Sequence, residues 1–317
     1  MSAVVERSAI EAAERRLAGR IRATPLIQDD QTGLWLKCEQ EQFTGSFKLR
    51  GAFHRLLRLT VAERGRGVVT ASAGNHGQGV AYASRALGIE ARIVVPDTAV
   101  PRKVDGIRAL GAHVVSVAGG YAVAEAEGHR LADSLGAVWV SPYNDAEVIA
   151  GQGTLGLEIE AQWEMALRGG GRVYVPVGGG GLASGIGVAL DRWRPGVQVI
   201  GVLPDHSPYL HAYFHRGSTA DVVEKPTLAD GLAGAIEADS ITLALARSFV
   251  DDMILVTEDE IRQALIWACR RNMTIEPSAA VAVAGALRDR AAHRLAVLSG
   301  GNVDPGLWEE ITHHAQA

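Results

Sequence analysis

Residues 67–96 read GVVTASAGNHGQGVAYASRALGIEARIVVP, and the reading of this stretch decides the architecture. Gly67–Ala71 and Ala91–Pro96 are short, nearly continuous apolar runs rich in β-branched residues. Between them, Gly77–Leu87 carries its apolar residues at helical spacing. Strand, helix and strand in that order need a crossover, so the strands lie parallel and both sheet faces are covered. The turn that leaves the first strand is Ser72-Ala73-Gly74-Asn75-His76-Gly77-Gln78-Gly79, and it opens a helix at the sheet's carboxyl edge. Free backbone N–H groups and the positive end of a helix dipole favour an anion there, and Asn75 can donate to a ligand oxygen. Ser72 or Asn75 can equally serve only as an N-cap.

The alternation continues outward. His113–Val117 and Ala137–Ser141 read as further strands, with Pro101–Leu110 and Tyr121–Leu135 as helices between. A second series has strands at Arg172–Val177, Gln198–Val202 and Leu295–Leu298 and helices at Leu182–Arg192, Glu258–Arg271 and Ser278–Arg288. The fold class is α/β, with parallel sheets. Asp205–Gly231 reads as irregular, its His206, His211 and His215 taken as solvated or capping side chains rather than ligands. No internal repeat and no low-complexity tract occurs.

Composition narrows the class. A chain of 317 residues, 47% hydrophobic and 21% charged, is long enough for two packed α/β units. A net charge of −5 gives no basic bias toward nucleic acid or an anionic membrane. Cys38 and Cys269 form no CxxC pair and no cluster at metal spacing, which fits a reducing compartment. Residues 1–20 are charged and helical in pattern, unlike a signal peptide, and no stretch approaches the roughly 20 apolar residues of a membrane span. A cytoplasmic location is expected. The 37 glycines, about 12% of the chain against an average near 7%, gather in tight clusters, which points to backbone approaching a ligand.

Three of those clusters join the turn after Ala71. In Gln42-Phe43-Thr44-Gly45-Ser46-Phe47-Lys48-Leu49-Arg50-Gly51-Ala52, Lys48 is either an exposed lysine at a helix start or a seated amine of lowered pKa. In Pro176-Val177-Gly178-Gly179-Gly180-Gly181-Leu182-Ala183-Ser184-Gly185, four glycines between strand and helix expose N–H groups as a phosphate nest. The loop lacks both the Gly-Lys-Ser/Thr of a Walker A motif and the spacing of a dinucleotide fingerprint. In Leu298-Ser299-Gly300-Gly301-Asn302-Val303-Asp304, Ser299 emerges at a strand end, as a cap on a glycine turn or as a partner for an approaching ring.

Taken together and in order, the clusters resemble the fold-type II pyridoxal 5′-phosphate (PLP) enzymes, of tryptophan synthase β-like fold. Among these they resemble the serine/threonine dehydratase branch, which includes serine racemase. The resemblance covers nearly the whole chain and extends to Val148-Ile149-Ala150-Gly151-Gln152-Gly153-Thr154, Ala229-Asp230-Gly231 and Glu276-Pro277. It implies that Lys48 bonds covalently to the cofactor with Phe47 against the ring, and that Asn75 meets the phenolic oxygen. Gly178, Gly179, Gly180 and Gly181, with Leu182, would cradle the phosphate, and Ser299 would meet the pyridine nitrogen. Ser72, Ala73, Asn75 and His76 would receive the substrate carboxylate, with Tyr143 and Gly231 also on the substrate side.

The implied activity is α,β-elimination from a small L-β-hydroxy amino acid of the threonine or serine type, giving a 2-oxo acid and ammonia, with Lys48 as base. The implied architecture is two αβα domains: a discontinuous large one, 1–51 and 146–317, and a small mobile one, 52–145, with the site in the cleft between. A homodimer is implied by the resemblance alone.

The chain also departs from the family's pattern. Ala73 stands where serine racemase has a second serine, so elimination without racemisation is expected. In Gly201-Val202-Leu203-Pro204, and at Tyr209, leucine and tyrosine replace acids of the metal-binding relatives, so no metal is expected. Ser141-Pro142-Tyr143-Asn144 replaces a Phe-Asp pair, and Leu232-Ala233-Gly234 is a small stretch. A bulkier or acidic substrate (phenylserine, 3-hydroxyaspartate, a hydroxyectoine-derived acid) is therefore an alternative. The chain's end at Ala317 leads to the expectation of no amino-acid-sensing domain. The rivals are a β-replacing, cysteine-synthase-like enzyme, disfavoured by Asn75-His76-Gly77 and the tetraglycine, and a phosphate-ligand sensor, which leaves Lys48, Asn75 and Ser299 unexplained.

Overall fold

The apolar runs form two sheets in the computed structural model, which describes residues 5–193 and 195–316 apart from the side chains of Met165 and Leu167. The strands are β1 (Leu26–Gln28), β2 (Trp35–Cys38), β3 (Val68–Ala71), β4 (Ala91–Pro96), β5 (His113–Val117), β6 (Val138–Trp139), β7 (Gly171–Pro176), β8 (Val197–Pro204), β9 (Asp252–Val256) and β10 (Arg294–Leu298). The helices are α1 (Arg7–Leu17), α2 (Lys48–Leu57), α3 (Val61–Arg66), α4 (Asn75–Leu87), α5 (Pro101–Ala109), α6 (Tyr121–Leu135), α7 (Ala146–Arg168), α8 (Gly181–Leu190), α9 (Tyr209–Arg216), α10 (Ile241–Phe249), α11 (Glu258–Cys269), α12 (Pro277–Arg288) and α13 (Pro305–Gln316).

The smaller sheet runs β5-β4-β3-β6 and is wholly parallel. The larger runs β1-β2-β10-β7-β8-β9, antiparallel only at its β1 edge. Each sheet reverses its direction of growth once. From β3 the chain steps out through β4 and β5, then returns to add β6 on the other side of β3. From β7 it steps through β8 and β9, and β10 returns to the other side of β7. At such a reversal the connections leave on opposite faces and open a crevice beyond the strand carboxyl ends. The loops at those ends are 72–74 and 140–145 in one sheet and 177–180 and 299–304 in the other.

Burial follows the layers. All four residues of β3 are buried, as are all of α8 and Pro277–Ala286 of α12, the pattern of elements covered on every side. Small residues set how closely these helices approach: a Cβ on Gly185 would lie 2.7 Å from Gly153 N. Helices α3 and α11 begin on reciprocal capping boxes, Thr60 with Glu63 and Thr257 with Glu260.

Two sequence expectations are corrected. Strand β6 holds Val138–Trp139 rather than 137–141, because the Val140 carbonyl is taken by Thr70 Oγ1 (2.8 Å) and the His76 ring (3.1 Å) instead of a ladder partner. Residues 205–231 are not wholly irregular. Helix α9 buries Leu210 and Ala212 and ends on Gly217 at φ +75, a two-turn amphipathic pattern that the flanking prolines and histidines had obscured.

Helix α2, which begins at Lys48, is held by a buried ion network. Arg50 and Lys37 are both fully buried. The Arg50 guanidinium donates to both Glu39 oxygens (2.7 Å each) and to both Glu158 oxygens (2.7 and 3.0 Å). Lys37 Nζ donates to Glu158 (2.7 Å), Gln162 (2.8 Å) and the Thr24 carbonyl (2.7 Å). Glu39 follows β2 and Glu158 lies on α7, so the first turn of α2 is tied to two other elements.

Candidate active site

Lys48 stands at the first position of α2, partly buried, with Nζ donating to the Pro142 carbonyl (2.9 Å). Ser141 Oγ accepts from the Asn144 N–H (2.9 Å) and tightens the turn that presents that carbonyl. Burial pushes the Lys48 amine down to about 8, against the opposing pull of the Glu276 carboxylate. A substantial share is therefore the neutral, nucleophilic amine near physiological pH. Phe47 lies beside it, 5.2 Å from Nζ to ring centroid, and its N–H donates to the Ser299 carbonyl (3.0 Å). Ser46 and Gly300 form an isolated antiparallel bridge, so the lysine segment is sewn to the Ser299 segment.

Asn75 and His76 open α4, and Gly79 brings that helix against α2, where a Cβ would lie 3.2 Å from the Lys48 carbonyl carbon. The Asn75 amide donates to Glu276 Oε1 (2.7 Å) and accepts from Asn302 Nδ2 (2.7 Å). His76 is buried, and burial with the nearby Lys48 charge lowers its pKa to about 3, so the ring is neutral. Its Nε2 donates to the Val140 carbonyl, and Nδ1 is buried without a partner among the described residues. Toward an anion His76 therefore offers its backbone N–H at the helix start rather than its ring. Ser72 Oγ accepts from the Gly74 N–H (3.2 Å) within its own turn, and Ala73 adds only a methyl group.

The glycine loop meets Tyr143 and Leu232. A Cβ on Gly179 would lie 2.3 Å from Tyr143 Cγ, and one on Gly178 would lie 3.0 Å from Leu232 Cα. Gly180 has φ +85, which lets the chain enter α8 with the first-turn N–H groups of Gly181 and Leu182 unpaired by the helix. Tyr143 Oη accepts from the Glu237 N–H (3.3 Å), and Asn144 donates to the Glu237 carboxylate while accepting from Ile241 N–H (3.1 Å). Gly231 packs against Ser278, where a Cβ would come 2.8 Å from Oγ.

Lys48, Phe47, Asn75, the tetraglycine, Tyr143 and Ser299 are thus linked by contacts; Ser72 and Gly231 lie at the margins. Sequence reasoning gave no role to Glu276, Asn302, Glu237 or the Pro142 carbonyl. A carboxylate at the head of the apolar helix α12 was the one visible signal. The open cavity of about 640 Å³ lined by Gln31, Trp267, Arg270, Arg271 and Arg288 contains none of these residues.

A family model described as pyridoxal-phosphate dependent enzyme matches residues 17–300. The chain belongs to this family. L-threonine ammonia-lyase of Thermotoga maritima is 42% identical over 313 residues, covering 95% of this chain and 77% of that protein. The processed form of threonine deaminase isoform 2 from Solanum lycopersicum superposes with TM-score 0.88 at 33% identity, covering 98% of this chain and 92% of that one. Maize serine racemase superposes with TM-score 0.88 at 30% identity, covering 99% of each chain. The fold is that of the fold-type II PLP enzymes, and the chain is an enzyme of the serine/threonine dehydratase branch. No helix among the described residues is long and apolar enough to cross a membrane.

The residues present fit the cofactor. A partly neutral amine suits its aldehyde, and the tetraglycine turn, which enters α8 with its first N–H groups unpaired by the helix, suits a phosphate, for which the Tyr143 ring packed on Gly179 would turn aside. Uptake of PLP by the cofactor-free protein should accelerate as pH rises through about 8, since only unprotonated Lys48 attacks an aldehyde. Stopped-flow absorbance from roughly pH 6 to 10 reads this, and a flat rate would contradict the role of Lys48.

Proposed function

We propose that this chain is a PLP-dependent ammonia-lyase that converts an L-β-hydroxy amino acid, threonine or serine in type, to a 2-oxo acid and ammonia. The observation that carries the reading is the Lys48 amine, lowered in pKa and seated where loops from both sheet reversals meet. The likeness to a protein named L-threonine ammonia-lyase supports it.

In this reading Lys48 holds the cofactor covalently, Phe47 flanks its ring, and Gly178 to Gly181 with Leu182 bind its phosphate through main-chain N–H groups. Asn75 would donate to the phenolic oxygen, and Ser299 would offer the pyridine nitrogen a neutral hydroxyl, which does not force protonation as a carboxylate would. The bound cofactor supplies an electron sink for negative charge at the substrate Cα. The α4 N-terminus, with Ser72, Ala73, Asn75 and His76, receives the substrate carboxylate; Tyr143 and Gly231 border the substrate side. The Lys48 amine would serve as the base toward the substrate Cα proton. Ala73 would offer no hydroxyl to return a proton to Cα from the other face, so no racemisation is expected; the β-hydroxyl would take up a proton and leave as water.

The division into 1–51 with 146–317 and a mobile 52–145 belongs to the same proposal, as does a cytoplasmic homodimer. Closure of the smaller unit would exclude water. The Lys103–Asp230 pair (3.1 Å) and the Asn144–Glu237 hydrogen bond already span the two units.

The test is 2-oxo acid formation from L- and D-serine, L- and D-threonine, phenylserine and 3-hydroxyaspartate, with and without a chelator. We expect turnover of L-threonine or L-serine, none of the D-forms, and no response to chelation. Preference for phenylserine or 3-hydroxyaspartate would move the substrate to the bulkier or acidic class. Serine racemisation as fast as 2-oxo acid release, or cysteine formation from activated serine and sulfide, would sink the reading.

A further inference from the structure

Both ends of the Asn75 carboxamide are engaged. Nδ2 donates to Glu276 Oε1 (2.7 Å), and Oδ1 accepts from Asn302 Nδ2 (2.7 Å). Asn302 cannot turn over, because its Nδ2 also donates to the Thr44 carbonyl (2.9 Å), which only accepts. The orientation of Asn75 follows in turn. Reversed, its NH₂ would face the Asn302 NH₂ and its oxygen would face the Glu276 carboxylate. An amide nitrogen carries two hydrogens, so one remains for a ligand oxygen after Glu276 is served.

The surrounding backbone leaves room for this chain of groups and little else. Gly45, at φ +70, would place a Cβ 2.7 Å from Asn302 Oδ1. Gly300 would place one 2.4 Å from Glu276 Oε1. The Glu276 N–H donates to the Gly300 carbonyl (3.0 Å), so its carboxyl is seated beside the Ser299 segment as well as Asn75. Lys48 from α2 and Lys103 from α5 face this carboxyl and favour its charge; Asp230 opposes it. Burial outweighs them and holds the acid up at about 7.

We propose that Glu276 and Asn302 are positioning residues that clamp the Asn75 carboxamide, and that the charge on Glu276 is felt at the cofactor ring through that amide. The proposal rests on the reading that Asn75 meets the cofactor's phenolic oxygen. An ionised Glu276 makes the clamp charge-assisted; a protonated one weakens it. The grip on the cofactor is therefore firmer above about pH 7 and looser below it.

The experiment follows the visible absorbance and PLP dissociation constant of the holoenzyme across neutral pH, with kcat and KM, for wild type, Glu276→Gln and Asn302→Ala. We expect wild type to show a step near pH 7 that is absent in the near-isosteric Glu276→Gln. Asn302→Ala should keep the step but lower kcat by about 10- to 100-fold, with KM changing less. A wild type without the step, a Glu276→Gln protein that keeps it, or an Asn302→Ala protein with wild-type kcat overturns the clamp. Borohydride trapping at Lys48 separates the two levels: if wild type is not labelled there, the cofactor reading fails; if it is labelled and the step is unchanged in Glu276→Gln, only the clamp fails.

Discussion

Replacement of Lys48 by alanine should lower 2-oxo acid formation by at least about 10⁴-fold, because the proposed function gives one side chain both the covalent anchorage and the Cα base. A second consequence runs the other way. The folded protein holds this amine near 8 against an ordinary 10.5, so below pH 8 the lysine is charged in both states and its burial opposes folding. Between 8 and 10.5 the penalty fades, since only the unfolded chain stays protonated; above that it is gone. Lys48→Met keeps the apolar stem without the charge. The cofactor-free Lys48→Met protein should gain about 2–3 kcal/mol at pH 7, allowing for the part of the side chain open to solvent. Urea unfolding at pH 7 and near 10.5 reads the gap, which should close at the higher pH. A Lys48→Met protein no more stable than wild type at pH 7 would contradict the burial argument.

The other large effect is expected at Arg50, which touches no ligand in any reading above. Its guanidinium is fully buried between Glu39 and Glu158, with Lys37 sharing Glu158 from the other side. Arg50→Met removes the cation and strands the Glu39 carboxylate in the interior, a change that typically costs about 3–5 kcal/mol. For a chain of 317 residues this corresponds to an apparent Tm lower by roughly 5–8 °C. Arg50→Met combined with Glu39→Gln should recover part of the loss, since most of the penalty is the uncompensated charge rather than a missing attraction. Calorimetry on the three proteins decides it; a single variant within about 1 °C of wild type would show that the network carries no stability. The Arg50 fork also fixes the turn of α2 that aims Lys48, so PLP should be held less tightly in Arg50→Met even where the protein is folded.

Local chemistry made much of this molecule readable in advance. The run GVVTA followed by a glycine-bearing turn and an apolar helical stretch can only be a parallel βα unit. Four glycines between a strand and a helix mark a turn whose N–H groups are open to an anion. These are statements about residues within a few positions of one another, where periodicity and backbone freedom act directly. Short or interrupted patterns were harder: β6 lost its last residues to a side-chain hydroxyl and an imidazole, and α9 hid among prolines and histidines.

By itself, the sequence determined the parallel α/β class, the four glycine-marked loops and, through their order, the family to which the chain belongs. Only the tertiary structure decided what surrounds Lys48 and Asn75. The Pro142 carbonyl is 94 residues from Lys48, Glu276 is 201 residues from Asn75, and Asn302 is 227 residues from Asn75. No period in the chain encodes pairings over such separations. They exist because two sheets reverse at facing strand ends and bring loops from distant parts of the chain into one crevice. Burial in that crevice then sets the protonation of the Lys48 amine and the Glu276 carboxyl, a property that neither residue has in its local sequence.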